Sequence, residues 1–354
     1  MKLRLVLFFV PVLAYAQTLD ETARFLAGMP VEGPLAPLTQ TAAWQEHARA
    51  MDEAWAKKEA QQIVPIRDWM WANAPEFFRS SNTMFYMFAG PDFLYANTFF
   101  PYANSYVLAA REPIGQVDDL TRLPPEQVLA NIGALRAALS NILRFQYFIT
   151  QDMRAQLGTG GVSGTLPLLY VLVARMGNSI LGVERLTTPA EGVKITFRDA
   201  LGRQSQVQTL YYFKTDLSGG SSTTAFFRWC AARGPGLSLL KAASFLMHGE
   251  GFNGVRNFLL QNSRVIIQDD SGIPLRDFPK GWSVQVFGRY VPHRTDFAKY
   301  TQPDLLAFVA QNPPGPLGFA FGYHWQREDG MLMLATPTGA PRELEVRRAL
   351  PVEQ

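Results

Sequence analysis

The run Thr83-Met84-Phe85-Tyr86-Met87-Phe88-Ala89 constrains the fold of this chain more than any other segment. It has no charged residue and no apolar–polar alternation, has the length of a strand, and stops at the turn signal Gly90-Pro91-Asp92. A strand with one wet face alternates apolar and polar residues, whereas a strand without alternation is covered on both faces. A second such run, 105–110, stops at Arg111-Glu112-Pro113. The stretch 126–155 reads as a long amphipathic helix, with Leu129, Ile132, Leu135, Leu139 and Leu143 at helical spacing. Apolar strands mixed with long helices predict an α/β fold, a mixed sheet with helices on both faces. The alternating runs 194–198 and 206–214, with Gly202 between them, predict an antiparallel portion with one wet face.

A helical arm, 17–80, is expected before the α/β main domain, 81–354. Within it, 42–62 is rich in helix formers and places Trp44, Met51 and Trp55 near helical spacing. Pro65 is expected to start a second helix, 66–73, that Pro75 ends. Residues 28–37 carry three prolines and two glycines and read as irregular. Downstream, 237–248, 254–261 and 303–311 read as helices, and 264–268 and 282–290 as strands. Segments 319–324 and 331–335 read as a closing hairpin.

The first sixteen residues give the expected address. Lys2 and Arg4 precede an apolar stretch, 5–13, and then Ala14-Tyr15-Ala16, the order of a secretory signal peptide. The stretch is shorter than the ~20 residues of a membrane span. A mature chain starting at Gln17 is therefore expected in the periplasm or outside the cell. Its formal charge falls from +3 to about +1 once Lys2 and Arg4 are gone, and it has no basic tract, which argues against nucleic acid as a partner. No later segment reads as a transmembrane helix. The single cysteine, Cys230, cannot form an internal disulfide and reads as a small buried hydrophobe.

Several strand-like runs end in an acidic residue: Asp92, Glu112, Asp216, and the pair Asp269-Asp270. Ligands of open α/β sheets bind outside the carboxyl ends of the strands, so parallel strands would gather these carboxylates on one rim. Gathered carboxylates can hold a divalent cation such as Mg²⁺ or Ca²⁺, or divide into an acid and a base. The bland alternative is that each caps a turn or a helix, as Asp92 would for a helix starting at Phe93. Asp269-Asp270-Ser271-Gly272 is the densest polar cluster, and its paired carboxylates call for a nearby cation, with Arg264 and Arg276 the local candidates.

None of His47, His248, His293 and His324 lies in a zinc pattern, and His248-Gly249-Glu250 lacks the cysteines a deaminase needs. The glycine-rich loop 158–164 has Ser163 where G-x-G-x-x-G needs glycine, and Gly164-Thr165 lacks the lysine of a phosphate loop. No nucleotide or haem motif is present. The soft loop 217–222 after Asp216 offers a helix cap or an anion site through Ser222.

Residues 88–101 and 265–275 resemble segments of a family of exported bacterial proteins with no assigned activity. The resemblance implies export and carries no functional residue across.

Two functions are therefore expected from the residues. In the first, the protein is a hydrolase, with Asp92, Asp269, Asp270 and His248 as catalytic groups and Glu112, Asp216 and Ser271 as ligand-binding groups. In the second, it is a non-catalytic periplasmic protein that binds a small molecule or an envelope component. Acidic tips that share one open mouth favour the first; tips sealed as turn braces favour the second.

Overall fold

The computed structural model describes residues 18–145, 157, 161–199, 206–219, 221–292, 297–323 and 330–339. The expected signal segment, the continuation of the long helix to 155, Gly158 to Gly160, Gly202, His293 and His324 lie outside the described residues.

The strands are β1 (Met84–Met87), β2 (Ser105–Ala110), β3 (Gln116–Val117), β4 (Val162–Ser163), β5 (Asn178–Leu186), β6 (Gly192–Asp199), β7 (Val207–Lys214), β8 (Gly236–Leu240), β9 (Ser263–Gln268), β10 (Trp282–Gly288) and β11 (Met331–Pro337). Nine of them form one sheet in the order β10-β11-β9-β8-β1-β2-β7-β6-β5, and β3 pairs with β4 apart from it. Five central strands, β7, β2, β1, β8 and β9, are mutually parallel. Antiparallel pairs extend both edges, β6 and β5 beyond β7, β11 and β10 beyond β9. The fold is thus α/β with a mixed sheet, as the unalternated runs predict.

The parallel core has a specific order. Numbered by their place in the chain, its strands run 3-2-1-4-5 across the sheet, with β1 and β8 adjacent at the point where the order reverses. That is the order of the doubly wound dinucleotide-binding fold, whose ligands sit outside the carboxyl ends of the strands at this switch point.

Both faces of the sheet are covered, and β1 shows how. Met84 and Tyr86 belong to the core on one face, Phe85 and Met87 to the core on the other, and all four are buried. The first core also receives α1 (Leu19–Leu26), α2 (Ala42–Lys58), α3 (Val64–Asn73), α4 (Pro75–Phe78), α5 (Phe93–Phe99) and α6 (Pro125–Phe145), so the N-terminal helices and the sheet share one apolar layer. The second core is closed by the helices Ser221–Ala231 and Asn253–Asn262 through Phe226, Cys230, Val255, Phe258 and Leu259. Cys230 is fully buried there, and burial pushes its thiol up, as a structural cysteine requires.

Three sequence expectations need correction, and one strand went unread. Residues 237–248 do not form a helix: Gly236–Leu240 is the central strand β8. A short apolar run such as Leu237-Ser238-Leu239-Leu240 carries no period that separates a buried strand from a buried helix. The expected closing hairpin does not form either, because β11 pairs with β9 and β10 instead. The edge strand β5 has charges on exposed positions and no clean alternation, and the sequence pattern missed it.

The last correction concerns Pro65. It does not open a separate helix; α2 passes through a π-helical turn, Glu59–Ile63, straight into α3. Proline has no N–H to donate one turn back, and the turn before it widens so that Val64 N–H reaches Glu59 O. This widened turn leaves Glu59, Ala60 and Gln61 exposed while Lys58 and Gln62 are buried.

Phe85 is fully buried in β1 and meets the Phe258 ring edge-on at 5.3 Å. Phe85→Ala should lower unfolding free energy by about 3–5 kcal/mol, read as a shift of the urea midpoint at unchanged slope.

Candidate functional site

Asp92, Glu112, Asp216 and Asp269 all follow carboxyl ends of the parallel strands, β1, β2, β7 and β9 respectively. Topology therefore sets all four on one rim. Side-chain geometry joins only some of them.

The centre is the β1/β8 switch point. Asp92 is the N-cap of α5: its Oδ1 accepts from Tyr95 N at 3.1 Å. Its Oδ2 accepts from the Tyr86 hydroxyl at 2.9 Å and lies 3.2 Å from Lys241 Nζ. Lys241 is the first residue after β8, and its ammonium also sits 4.0 Å above the Tyr95 ring centroid. Asp92 and Lys241 are 2% and 3% exposed, so this ion pair is desolvated on both sides. Burial lowers the Lys241 pKa, and the Asp92 charge opposes that shift. Tyr86 is driven well above its usual value by burial and then by the Asp92 charge, so it stays protonated and donates.

Asp269 shares this mouth. It is fully buried, accepts from Ala242 N at 2.9 Å through Oδ2, and accepts from Ser271 N at 3.1 Å and Ser271 Oγ at 2.5 Å through Oδ1. Ser271 Oγ in turn accepts from Ala243 N at 2.8 Å. Burial, followed by the adjacent Asp270 charge, raises the Asp269 carboxyl from 3.8 to about 6. Lys241 acts electrostatically on both Asp92 and Asp269. Gly322 allows this packing, because a Cβ there would lie 2.0 Å from Asp269 Oδ2 and its φ is +70°.

The other predicted residues are placed around this centre. The Asp270 carbonyl accepts from Gln302 Nε2 at 3.0 Å and from His248 Nε2 at 3.2 Å. Burial lowers the His248 pKa, and its ring packs edge-on against Phe245 and Tyr300 at 5.3 and 5.6 Å. Glu112 is buried, and its carbonyl accepts from the Tyr212 hydroxyl at 2.9 Å. Asp216 is half-exposed and pairs with Arg111; the Ser218 N–H, 3.0 Å away, is the main cause of its lowered pKa. Ser222 has no described side chain. His47 is buried under the N-terminal arm, where its Nε2 donates to Leu26 O at 2.9 Å.

The cation near the acidic tips is not an arginine from the same loop. Arg264 donates to Asn82 Oδ1 at 2.9 Å, and Arg276 leans on Asp277. Lys241 and Lys58 are the residues that sequence reading missed. Reading 237–248 as a helix hid the only available signal for Lys241, a charge directly after an apolar strand.

Lys58 reaches the same centre from the N-terminal arm. It is 4% exposed, and burial, followed by the Lys241 charge, lowers its pKa to about 7. Gln62, one turn later, accepts from the Tyr95 hydroxyl at 3.4 Å.

Asp92 is not free to hold a divalent cation. The Lys241 ammonium and two protein donors occupy the Asp92 oxygens. Among the described residues no group of three or more His, Cys, Asp or Glu side chains is arranged to hold a metal ion. No helix among them is long and apolar enough to cross a membrane. The chain matches no known family model and no curated protein.

Removing one member of the buried pair strands the other charge. Asp92→Leu and Lys241→Met should each cost about 3–5 kcal/mol, while the double variant recovers most of that loss in a denaturant double-mutant cycle. Asp269 favours folding when protonated, since its folded pKa lies above its unfolded one. That contribution is present below pH 3.8 and is lost as pH rises through about 6. Asp269→Asn should therefore flatten the decline of stability between pH 4 and 6, measured by urea midpoints across that range.

Proposed function

We propose that the chain is an exported, non-catalytic ligand-binding protein whose ligand is taken at the carboxyl edge of the sheet, beside the β1/β8 switch point. One observation carries this reading: the two carboxylates that meet at the switch point, Asp92 and Asp269, are already committed. Asp92 is consumed by Lys241, Tyr86 and the α5 N-terminus, and Asp269 by the Ala242 N–H and Ser271. A general acid or base must reach the proton it moves, and the oxygens of Asp92 and Asp269 are taken up by protein donors.

The strand order supports a ligand at this edge, because crevices of doubly wound sheets open there. The detail differs from a dinucleotide site. A dinucleotide's pyrophosphate would lie at the start of the first crossover helix, and here the Asp92 carboxylate occupies that position. An envelope component or small metabolite fits this reading better than a dinucleotide.

A second reading, hydrolysis, draws on the raised pKa of Asp269 beside Asp270, a pattern common at acid–base sites. One experiment separates the two. The mature protein is screened by thermal shift against sugars, amino acids, nucleotides and envelope fragments, and in parallel against model ester, phosphate, peptide and glycoside substrates. The expected result is a ligand-dependent rise in Tm of at least ~2 °C with no turnover. Turnover abolished by Asp269→Asn in a folded protein would establish the hydrolase instead.

A further inference from the structure

Lys58 is buried without a counter-ion. The ammonium of a 96% buried lysine is costly unless hydrogen-bonded or paired, and no hydrogen bond or ion pair holds this one among the described residues. Three charges act on it. Lys241 faces it from the end of β8 and repels it, Asp92 faces it from the end of β1 and attracts it, and Lys57 repels it from its own helix. Asp92 is already bonded to Lys241 at 3.2 Å. Asp92 is therefore shared between two cations, and among the described residues no anion is dedicated to Lys58.

Its position is built, not incidental. The π-helical turn Glu59–Ile63 begins directly after Lys58 and buries Lys58 and Gln62 while the three residues between them stay exposed. Gln62 is fixed to the Tyr95 hydroxyl, and the Tyr95 ring carries the Lys241 ammonium. Lys58 thus lies at the switch point of the sheet, one residue from exposed Lys57 and Glu59.

We infer that Lys58 is the recognition group for a small oxyanion, the carboxylate or phosphate moiety of the ligand, bound at the β1/β8 edge beside Lys241 and Tyr95. The inference rests on the ligand-binding reading and names the chemistry of its ligand. Binding draws a proton onto Lys58, so affinity for acetate is constant below about pH 7 and falls as pH rises from there to the higher pKa of the anion-bound amine. Anion binding also raises the pKa of the amine it pairs with.

The test uses the mature protein with ε-¹⁵N-labelled lysine, titrated by NMR alone, with acetate, with inorganic phosphate, and with chloride at matched ionic strength. Lys58 should titrate near 7 alone and at least one unit higher with acetate or phosphate, but not with chloride. Whichever of the two anions shifts it identifies the moiety. Lys58→Met should fold, since it removes an uncompensated buried charge, and should abolish the anion-dependent rise in Tm. An unmoved Lys58 titration, or an equal Tm response in Lys58→Met, would overturn the inference. If neutral ligands bind wild type and Lys58→Met alike, the inference fails and the binding reading stands. If no ligand of any class stabilises the protein, both fail.

Discussion

The desolvated pair Asp92–Lys241 holds the centre of this structure together. It joins the ends of β1 and β8, the two strands between which the doubly wound order reverses. Neither charge could stand there alone, since an isolated buried ion costs several kcal/mol and is tolerated only with a partner and further hydrogen bonds. Tyr86 and the Tyr95 N–H supply those bonds to Asp92, and the Tyr95 ring supplies a face to Lys241. An apolar pair would close the same space at less cost, so the pair acts through direction: it holds each loop at one height and one angle to the sheet.

The neighbouring groups follow from that fixed point. The loop after β8 turns sharply, with Ala242, Ser244 and Phe245 all at positive φ. Such conformations cost free energy in non-glycine residues and persist only when their surroundings hold them. Asp269 and Ser271 hold the N–H groups of Ala242 and Ala243, and Tyr323 binds both the Ala242 carbonyl and the Ser244 N–H. Phe245 then stacks on Tyr300 at 4.7 Å and on Tyr323 at 5.9 Å. The N-terminal arm closes the other side by delivering Lys58 and Gln62 through its π turn. Helices far apart in the chain thereby converge on one rim.

Much of this was legible from residues alone. The unalternated run 83–89 announced a strand covered on both faces, and β1 divides its side chains between two cores. The N-cap role of Asp92 was readable from Gly90-Pro91-Asp92 before Phe93, and Asp92 does accept from Tyr95 N. The strand 264–268 and the helices 254–261 and 303–311 appear within a residue or two of their expected bounds. What failed was local ambiguity: 237–248 had no period to read, and Pro65 looked like a boundary when the chain absorbs it by widening a turn.

Sequence by itself determined the layered α/β class, the apolar strands and the acidic residues at their ends, because burial on two faces and turn chemistry both act over a few neighbouring residues. Tertiary structure alone decided what those acidic ends do. Asp92 and Lys241 are about 150 residues apart, and Lys58 and Tyr95 lie further still from the serine and glycine that enclose Asp269, and no local pattern encodes such meetings. Their pairing is set by strand order, and strand order is settled by which apolar surfaces exclude water together across the whole chain.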